Sequence, residues 1–313
     1  MKTVVVLSGK GGTGKTSVTA SLAALEAASG RKFVLADTDV DAANLHILLR
    51  PEVTGTHEFV GGQTAVVDPA ACRGHGECAA HCRFEAIRIE AAPGGRRAVI
   101  DPALCEGCAV CTLVCPERAI AMRDEVAGTW RLGMTAFAPM VDARLGAGGE
   151  NSGKLVTRVR QAAREEAERT GAGLVLMDGP PGVGCPVIAA VTGTDLVVAV
   201  TEPTPPARAD LQRLIALARH FNVPVAVVVN KADLNPAMTG ALEAALAMSG
   251  IEVLGRVPYD EAIPRAQVEG RLPIEAGPGP RAAFEAIHAR FRAVLEAGAS
   301  PVPGLLQVDT LGV

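Results

Sequence analysis

Aromatic residues are nearly missing from this chain of 313 residues: they make up 3%, with one Trp and one Tyr. A core must therefore be built from Val, Leu, Ile and Ala. Long apolar runs are missing too. No stretch reaches about 18 uninterrupted apolar residues, so no membrane-spanning helix is expected. Met1-Lys2-Thr3 leads into an apolar run from Val4 to Leu7, too short for a signal peptide. No sign of charge is in excess, since 30 Lys and Arg face 34 Asp and Glu for a net charge of −4. Nucleic-acid binding as the main task is thereby disfavoured. No nucleic-acid partner, no membrane and a cytoplasmic location are the expectations. What is present is 49% hydrophobic and 20% charged, enough to bury a core and too apolar for disorder. Of eight cysteines, seven lie between Cys72 and Cys115. In a reducing compartment such crowding predicts metal ligation rather than disulfides.

The apolar pattern alternates between strand and helix. Lys2–Leu7 reads as a strand, Thr16 to Ser29 as a helix with Val18, Leu22 and Leu25 on one face, and Phe33–Ala36 as a buried strand ending in acids. Gly30 suits a left-handed helix C-cap. From about Val66 to Glu125 the cysteines dominate, with no long helix and short apolar pieces at Ile87–Ile89 and Ala98–Ile100. The alternation then resumes. Helices are predicted over Arg158–Arg169, Ala207–His220, Pro236–Met248 and Pro280–Ala297, with strands over Leu174–Met177, Leu196–Val200 and Val225–Val229. The expected architecture is α/β, a doubly wound, mostly parallel sheet with a second domain inserted after its second strand. The boundaries expected are 1–62 and 128–298 for the two parts of the first domain, 63–127 for the insert, and 299–313 for a loose tail.

Between the first strand and the first helix stands Gly9-Lys10-Gly11-Gly12-Thr13-Gly14-Lys15-Thr16, which fits G-x-x-x-x-G-K-[ST] in full. Backbone N–H groups from Gly11, Gly12, Thr13 and Gly14 through Ser17 are expected around phosphates, helped by the helix N-terminus. Lys15 should reach the β and γ phosphates and Thr16 should ligate Mg²⁺.

The second lysine in that loop, Lys10, resembles the signature of the deviant Walker A ATPases. These include MinD-type division-site ATPases, plasmid-partition ATPases, Mrp-type iron–sulfur carriers and the nitrogenase iron protein. The resemblance implies a homodimer that sandwiches ATP, with Lys10 reaching the partner's nucleotide. Asp37-Thr38-Asp39-Val40-Asp41 resembles the first switch, where Asp39 would hold Mg²⁺ through water and orient the attacking water. Asp37 and Asp41 could equally end a strand or cap a helix. Leu174–Gly182 resembles a Walker B strand and second switch: Asp178 near the magnesium, Gly179 offering its N–H to the γ-phosphate. Asn230-Lys231-Ala232-Asp233 suggests guanine when read alone, whereas an Asn here reads adenine in the resembled group. ATP is taken over GTP on that resemblance. Pro258-Tyr259-Asp260 resembles the loop covering the base, with Pro258 and Asp260 as contacts.

Cys105-x₂-Cys108-x₂-Cys111-x₃-Cys115-Pro116 is the bacterial ferredoxin run. Zinc is the competing occupant of C-x₂-C pairs. A second, imperfect copy lies upstream, Cys72-x₂-His75-x₂-Cys78-x₃-Cys82-Arg83. Exchanging fourth ligands gives Cys105, Cys108, Cys111 and Cys82 for one [4Fe–4S] cluster. Cys72, Cys78 and Cys115, with His75 available, are left for a [3Fe–4S] cluster, a [4Fe–4S] cluster with an imidazole ligand, or a degraded site. Nearly the whole chain then resembles MinD-superfamily ATPases carrying an inserted ferredoxin domain of α+β, two-cluster type, and Gly149–Leu155 resembles their return segment. Cys185 is either a small buried thiol or, on the resemblance, a residue facing its copy across a dimer.

Three functions follow. The first is a dimeric switch ATPase coupling Mg-dependent ATP hydrolysis to electron transfer or cluster handling, with a redox or metallocofactor partner protein. The second is an assembly or carrier ATPase with clusters as cargo. The third is a MinD-like positioning ATPase with structural clusters. Phe284, Ile287, Phe291 and Leu295 at core spacing, and a tail without Lys or Arg, count against a membrane-targeting helix in the third.

Overall fold

The structure, a computed structural model, describes residues 1–146 and 151–298. Gly149 and Glu150 of the return segment and the tail from 299 lie outside the described residues. In chain order the strands and helices are β1 (Lys2–Ser8), α1 (Lys15–Ala28), β2 (Phe33–Asp37), α2 (Leu45–Leu49), β3 (Glu52–Val67), α3 (Glu77–Ala80), β4 (Ile87–Ala92) and β5 (Gly95–Ile100). There follow α4 (Val110–Val114), β6 (Ile120–Met134), β7 (Pro139–Leu145), α5 (Ser152–Thr170), β8 (Leu174–Pro181), α6 (Cys185–Val191) and β9 (Leu196–Thr201). The last are α7 (Pro205–His220), β10 (Val225–Asn230), α8 (Pro236–Met248), β11 (Glu252–Val257), α9 (Ala262–Val268) and α10 (Pro278–Ala297). No helix among the described residues is long and apolar enough to cross a membrane.

Two compact units emerge. The first comprises Met1–His57, Trp130–Arg144 and the chain from Ser152. Its sheet runs β11-β10-β9-β1-β8-β2-β7 and continues into the ends of β6 and β3 that belong to this unit. Every pairing from β11 to β7 is parallel. Buried on both faces, these strands are continuous apolar runs: Val4 to Leu7 and Val225 to Val229 are essentially inaccessible. The chain leaves β1 for the β2 side and later, after β8, crosses to β9. The carboxyl end of β1 is therefore the place where strand order reverses and ligands of such sheets bind. On α10, Phe284, Ile287 and Phe291 enter the core as the spacing predicts, while Leu295 packs at its margin.

Arg160 of α5 donates to the carbonyls of Ala189 and Thr192 at the end of α6. Burial, aided by Arg164, pulls its pKa down to about 10. The single Trp, Trp130, stacks on His57 at 4.1 Å between centroids and carries the Arg158 guanidinium at 4.3 Å.

The second unit comprises Glu58–Thr129 and Leu145–Asn151. β4 and β5 pair antiparallel from Ile87↔Ile100 to Ala92↔Gly95. Each cysteine run carries one short helix, α3 holding Cys78 and α4 holding Cys111. The core of this unit is small: Ala65, Cys78, Ala86, Ile87, Ala98, Cys111 and Ile120.

Four strands depart from the sequence expectation, among them β11, which pairs parallel with β10 at the sheet's edge. β7 joins the parallel sheet beside β2, with Leu35↔Met140 in register. β3 and β6 run for 16 and 15 residues where no strand was expected. β3 is mostly exposed and mixes Gly, Thr and charged residues, so it lacks the apolar alternation that marks a half-buried strand.

Candidate functional site

The phosphate loop follows β1. Gly12 and Gly14 hold left-handed φ values of 78° and 91°, the conformation that turns backbone N–H groups inward at little cost only in glycine. Val4 to Leu7 anchor the loop, and α1 begins at Lys15. The Lys15 side chain is 8% exposed and its Nζ lies 3.2 Å from Asp178 Oδ1 and 3.5 Å from Asp39 Oδ2. The Thr16 hydroxyl is 2.6 Å from Asp178 Oδ2 and 2.9 Å from Asn44 Oδ1. Thr19 donates to Asp178 Oδ1 at 3.1 Å. Ser17 Oγ accepts from Gln267 Nε2 at 2.9 Å. Lys15, Thr16, Asp39 and Asp178, chosen from three distant segments, thus meet in one place.

Three acids share this one buried lysine. Burial works against the Lys15 charge, but Asp178, Asp39 and Asp37 outweigh it and hold its pKa above the ordinary lysine value. Burial raises the Asp39 carboxyl more than Lys15 lowers it. Burial and the neighbouring Asp178 push Asp37 well above the carboxylate range. Asp37 accepts the backbone N–H groups of Asp39 at 3.1 Å, Asn44 at 3.1 Å and Leu45 at 3.0 Å. Its job is therefore to bend the chain from β2 into α2, which leaves Asp39 as the acid free to face a ligand. Gly179 has no alternative residue: a Cβ there would stand 2.4 Å from Leu7 Cδ2 and 2.9 Å from the Val6 carbonyl oxygen.

Lys10 lies in an ion pair within its own chain. Its Nζ is 2.6 Å from Glu202 Oε1, while Lys231 Nζ is 3.0 Å from Oε2. The Asn230 amide donates to the Thr13 carbonyl at 2.8 Å and accepts from Lys231 N at 3.0 Å, so it braces the phosphate loop. Asp233 accepts from Tyr259 N at 2.6 Å. Asp260 accepts from Ala262 N at 2.8 Å, beside a half-buried Pro258. Sequence reasoning missed Asn44, Thr19 and Glu202. Glu202 had a signal, since it follows an apolar strand as Asp178 does. Cys185 is exposed at the start of α6, which corrects the buried-thiol alternative.

The donors Thr16, Asp39 and Asp178 are all oxygen, the set that suits a hard divalent cation such as Mg²⁺.

In the second unit the thiols sort by environment. Burial raises the Cys78 thiol, with Cys115 and Cys72 adding to the rise. Burial raises Cys111, with Cys105 and Cys108 adding most. Cys115 lines the same cavity as Cys72 and Cys78 of the upstream run. Backbone N–H groups point at three sulfurs: Ala98 to Cys72 at 3.4 Å, Ala119 to Cys115 at 3.3 Å and Ala65 to Cys105 at 3.5 Å. Cys82 packs against the same small core, and Cys108 is exposed. Cys72, His75, Cys78 and Cys115 line one cavity. Among the described residues no three His, Cys, Asp or Glu side chains converge closely enough for a single metal ion. Thiolate sulfur is the donor that iron–sulfur clusters take, and Cys72, Cys78 and Cys115 share one cavity.

Residues 4–274 match the family described as the CobQ/CobB/MinD/ParA nucleotide binding domain. An uncharacterized protein of Methanocaldococcus jannaschii is 34% identical over 235 residues, 74% of this chain and 79% of its own length. Among solved structures, the Pyrococcus horikoshii septum site-determining protein MinD, complexed with Mg-ADP, aligns with a TM-score of 0.57 at 18% identity, covering 95% of this chain and 98% of that one. The Pyrococcus furiosus cell division ATPase MinD aligns with a TM-score of 0.56 at 17% identity, covering 94% and 99%. With its phosphate loop, its parallel sheet and a family match over most of its length, this chain belongs to the CobQ/CobB/MinD/ParA nucleotide-binding family.

Proposed function

We propose that the protein is a Mg²⁺-dependent ATPase of the deviant Walker A kind, working as a homodimeric switch whose cycle drives iron–sulfur electron transfer or cluster handling in the second unit, 63–127 by the sequence reading. Six thiols gathered around one small core, with Cys108 exposed, carry this reading. The comparisons lend no support to the clusters; the cysteine spacing and the partition of the thiols do.

The chain's own groups divide the work at the nucleotide. Backbone N–H groups of Gly11 to Ser17 bind the phosphates, and Lys15 neutralises charge that Asp39 and Asp178 hold in the free protein. Thr16, Asp39 and Asp178 hold the cation, and Asp39 orients the attacking water. Mg²⁺, when bound, neutralises charge on the phosphate oxygens. Lys10 leaves Glu202 to reach the partner's nucleotide. Asn230, Pro258 and Asp260 border the adenine. In the second unit Cys82, Cys105, Cys108 and Cys111 would hold a [4Fe–4S] cluster, and Cys72, Cys78 and Cys115 a second one, of [4Fe–4S] or [3Fe–4S] type. The clusters, when bound, supply one-electron redox chemistry.

The names of the solved relatives favour a second reading over electron transfer: a MinD-like positioning ATPase whose clusters are structural. Anaerobic purification with iron counting and EPR, with and without ATP, separates the two. Clusters whose signal or potential shifts with ATP support coupling. Clusters blind to ATP, alongside ATP-dependent dimerisation, support positioning. A protein that binds no iron ends the cluster reading.

A further inference from the structure

We propose that His75 is the fourth ligand of the irregular cluster, through Nδ1, and that Glu117 is the positioning residue that fixes its ring. The inference rests on the iron–sulfur reading above. His75 occupies, in its run, the place that Cys108 occupies in the complete one. It lines the cavity formed by Cys72, Cys78 and Cys115, so three thiols and one imidazole face the same space. Its Nε2 lies 3.0 Å from Glu117 Oε1. A neutral imidazole has one N–H and one lone pair. Donating Nε2–H to a carboxylate leaves the lone pair on Nδ1, the carboxylate–histidine arrangement that sets tautomer and ring orientation in metal sites.

The geometry of the backbone agrees. Gly74 and Gly76 flank His75 at φ 69° and 95°, and a Cβ on Gly74 would stand 2.5 Å from the Arg96 carbonyl oxygen. The loop is thus pressed against β5, the strand whose Ala98 N–H points at Cys72 Sγ. Glu117 follows Cys115 by two positions, so one short segment supplies both a thiolate and the group that aims the imidazole. The rival account is an exposed ion pair of no consequence, since His75 and Glu117 are 48% and 41% exposed and such pairs contribute little.

The test uses the full chain, purified without oxygen. The signal of the Cys82, Cys105, Cys108 and Cys111 cluster serves as internal control. Pulsed EPR of the other cluster should show a strong nitrogen coupling that changes isotope pattern when histidine is ¹⁵N-labelled. His75→Ala should lose that coupling and leave the site in the three-iron form. His75→Cys should lose the coupling, keep four irons and lower the potential, because a thiolate adds negative charge. Glu117→Ala should make the site's iron about 10–100-fold easier to remove with a chelator, the usual effect of losing an outer partner. Glu117→Gln, which keeps an acceptor, should restore most of the retention. Absence of nitrogen coupling, or a His75→Ala protein equal to the parent in iron, EPR and potential, overturns the inference while the control cluster stands. Absence of both clusters overturns the iron–sulfur reading and this inference with it.

Discussion

Replacing Glu202 by Gln tests whether the Lys10 ion pair restrains the dimer. Lys10 Nζ sits 2.6 Å from Glu202 and must leave it to act on a partner's nucleotide. Lys10 is 42% exposed, so solvent screens the pair and its value is taken as about 0.5–1 kcal/mol. Both protomers must release the pair, so removing it should tighten ATP-dependent dimerisation about 5–30-fold. The measurement is sedimentation velocity over a concentration series with Mg·ATP, in an Asp39→Asn background that suppresses turnover. In a Lys10→Ala background the same substitution should change nothing. A dimer that is unchanged or weaker in Glu202→Gln, with nucleotide affinity intact, refutes the restraint. A pH signature accompanies it. Burial raises the Glu202 carboxyl, but hydrogen bonds from Lys10 and Lys231 outweigh this and hold it below the ordinary value. A depressed carboxylate contributes stability above its unfolded pKa and loses it as pH falls through its folded one. The difference in melting between parent and variant should therefore be full near neutrality, begin to shrink as pH falls to the ordinary glutamate pKa of about 4.3, and vanish only in more acid solution.

Lys15→Ala should abolish nucleotide binding and also destabilise the fold by about 3–5 kcal/mol, since Asp39 and Asp178 would be left without their buried cation; nucleotide titration and urea unfolding read the two effects, and full affinity would refute the first. Asp39→Asn should still bind Mg·ATP yet hydrolyse it slowly and accumulate as dimer; unchanged single-turnover hydrolysis would pass the role to Asp41, because Asp37 is taken up by backbone N–H groups. Gly14→Ala should weaken nucleotide binding about tenfold or more: φ is 91° and the new Cβ would stand 2.3 Å from Asn230 Nδ2, a strain of about 1–2 kcal/mol before the clash is counted. Normal affinity in that variant, by calorimetry, would mean that Asn230 does not brace the loop.

The phosphate site was legible in the sequence because its chemistry is local. The glycines, Lys15 and Thr16 are contiguous, and strand-terminal acids mark Asp39 and Asp178. The supporting residues were not legible because each is recruited across the sheet: Asn44 meets Thr16 and Gln267 meets Ser17 only through the fold. The parallel core announced itself as apolar runs. The strands β3 and β6 did not, since much of their length faces solvent and carries Thr, Gly and charge. β7 was hidden by Asp142, Arg144 and a single apolar pair, Met140-Val141, a pattern too brief to register as a buried strand. The placing of Cys115 beside Cys72 and Cys78 accords with the ferredoxin-like run read in the sequence. The role of Glu117 was not, because nothing in the sequence tells a surface glutamate from one aimed at a histidine.

The guanidinium of Arg160 makes two helices share one fate. Its donors take up the Ala189 and Thr192 carbonyls, which α6, at seven residues, has no following turn to occupy. So short a helix has little stability of its own. Amide exchange from α6 should then follow the opening of α5 instead of local fraying, and the two should behave as a single cooperative block. The segment between β8 and α6, which carries Gly182 and Gly184, would be left as the yielding part between two firm ones, and the ligand that contacts it would meet a hinge already confined at its far side.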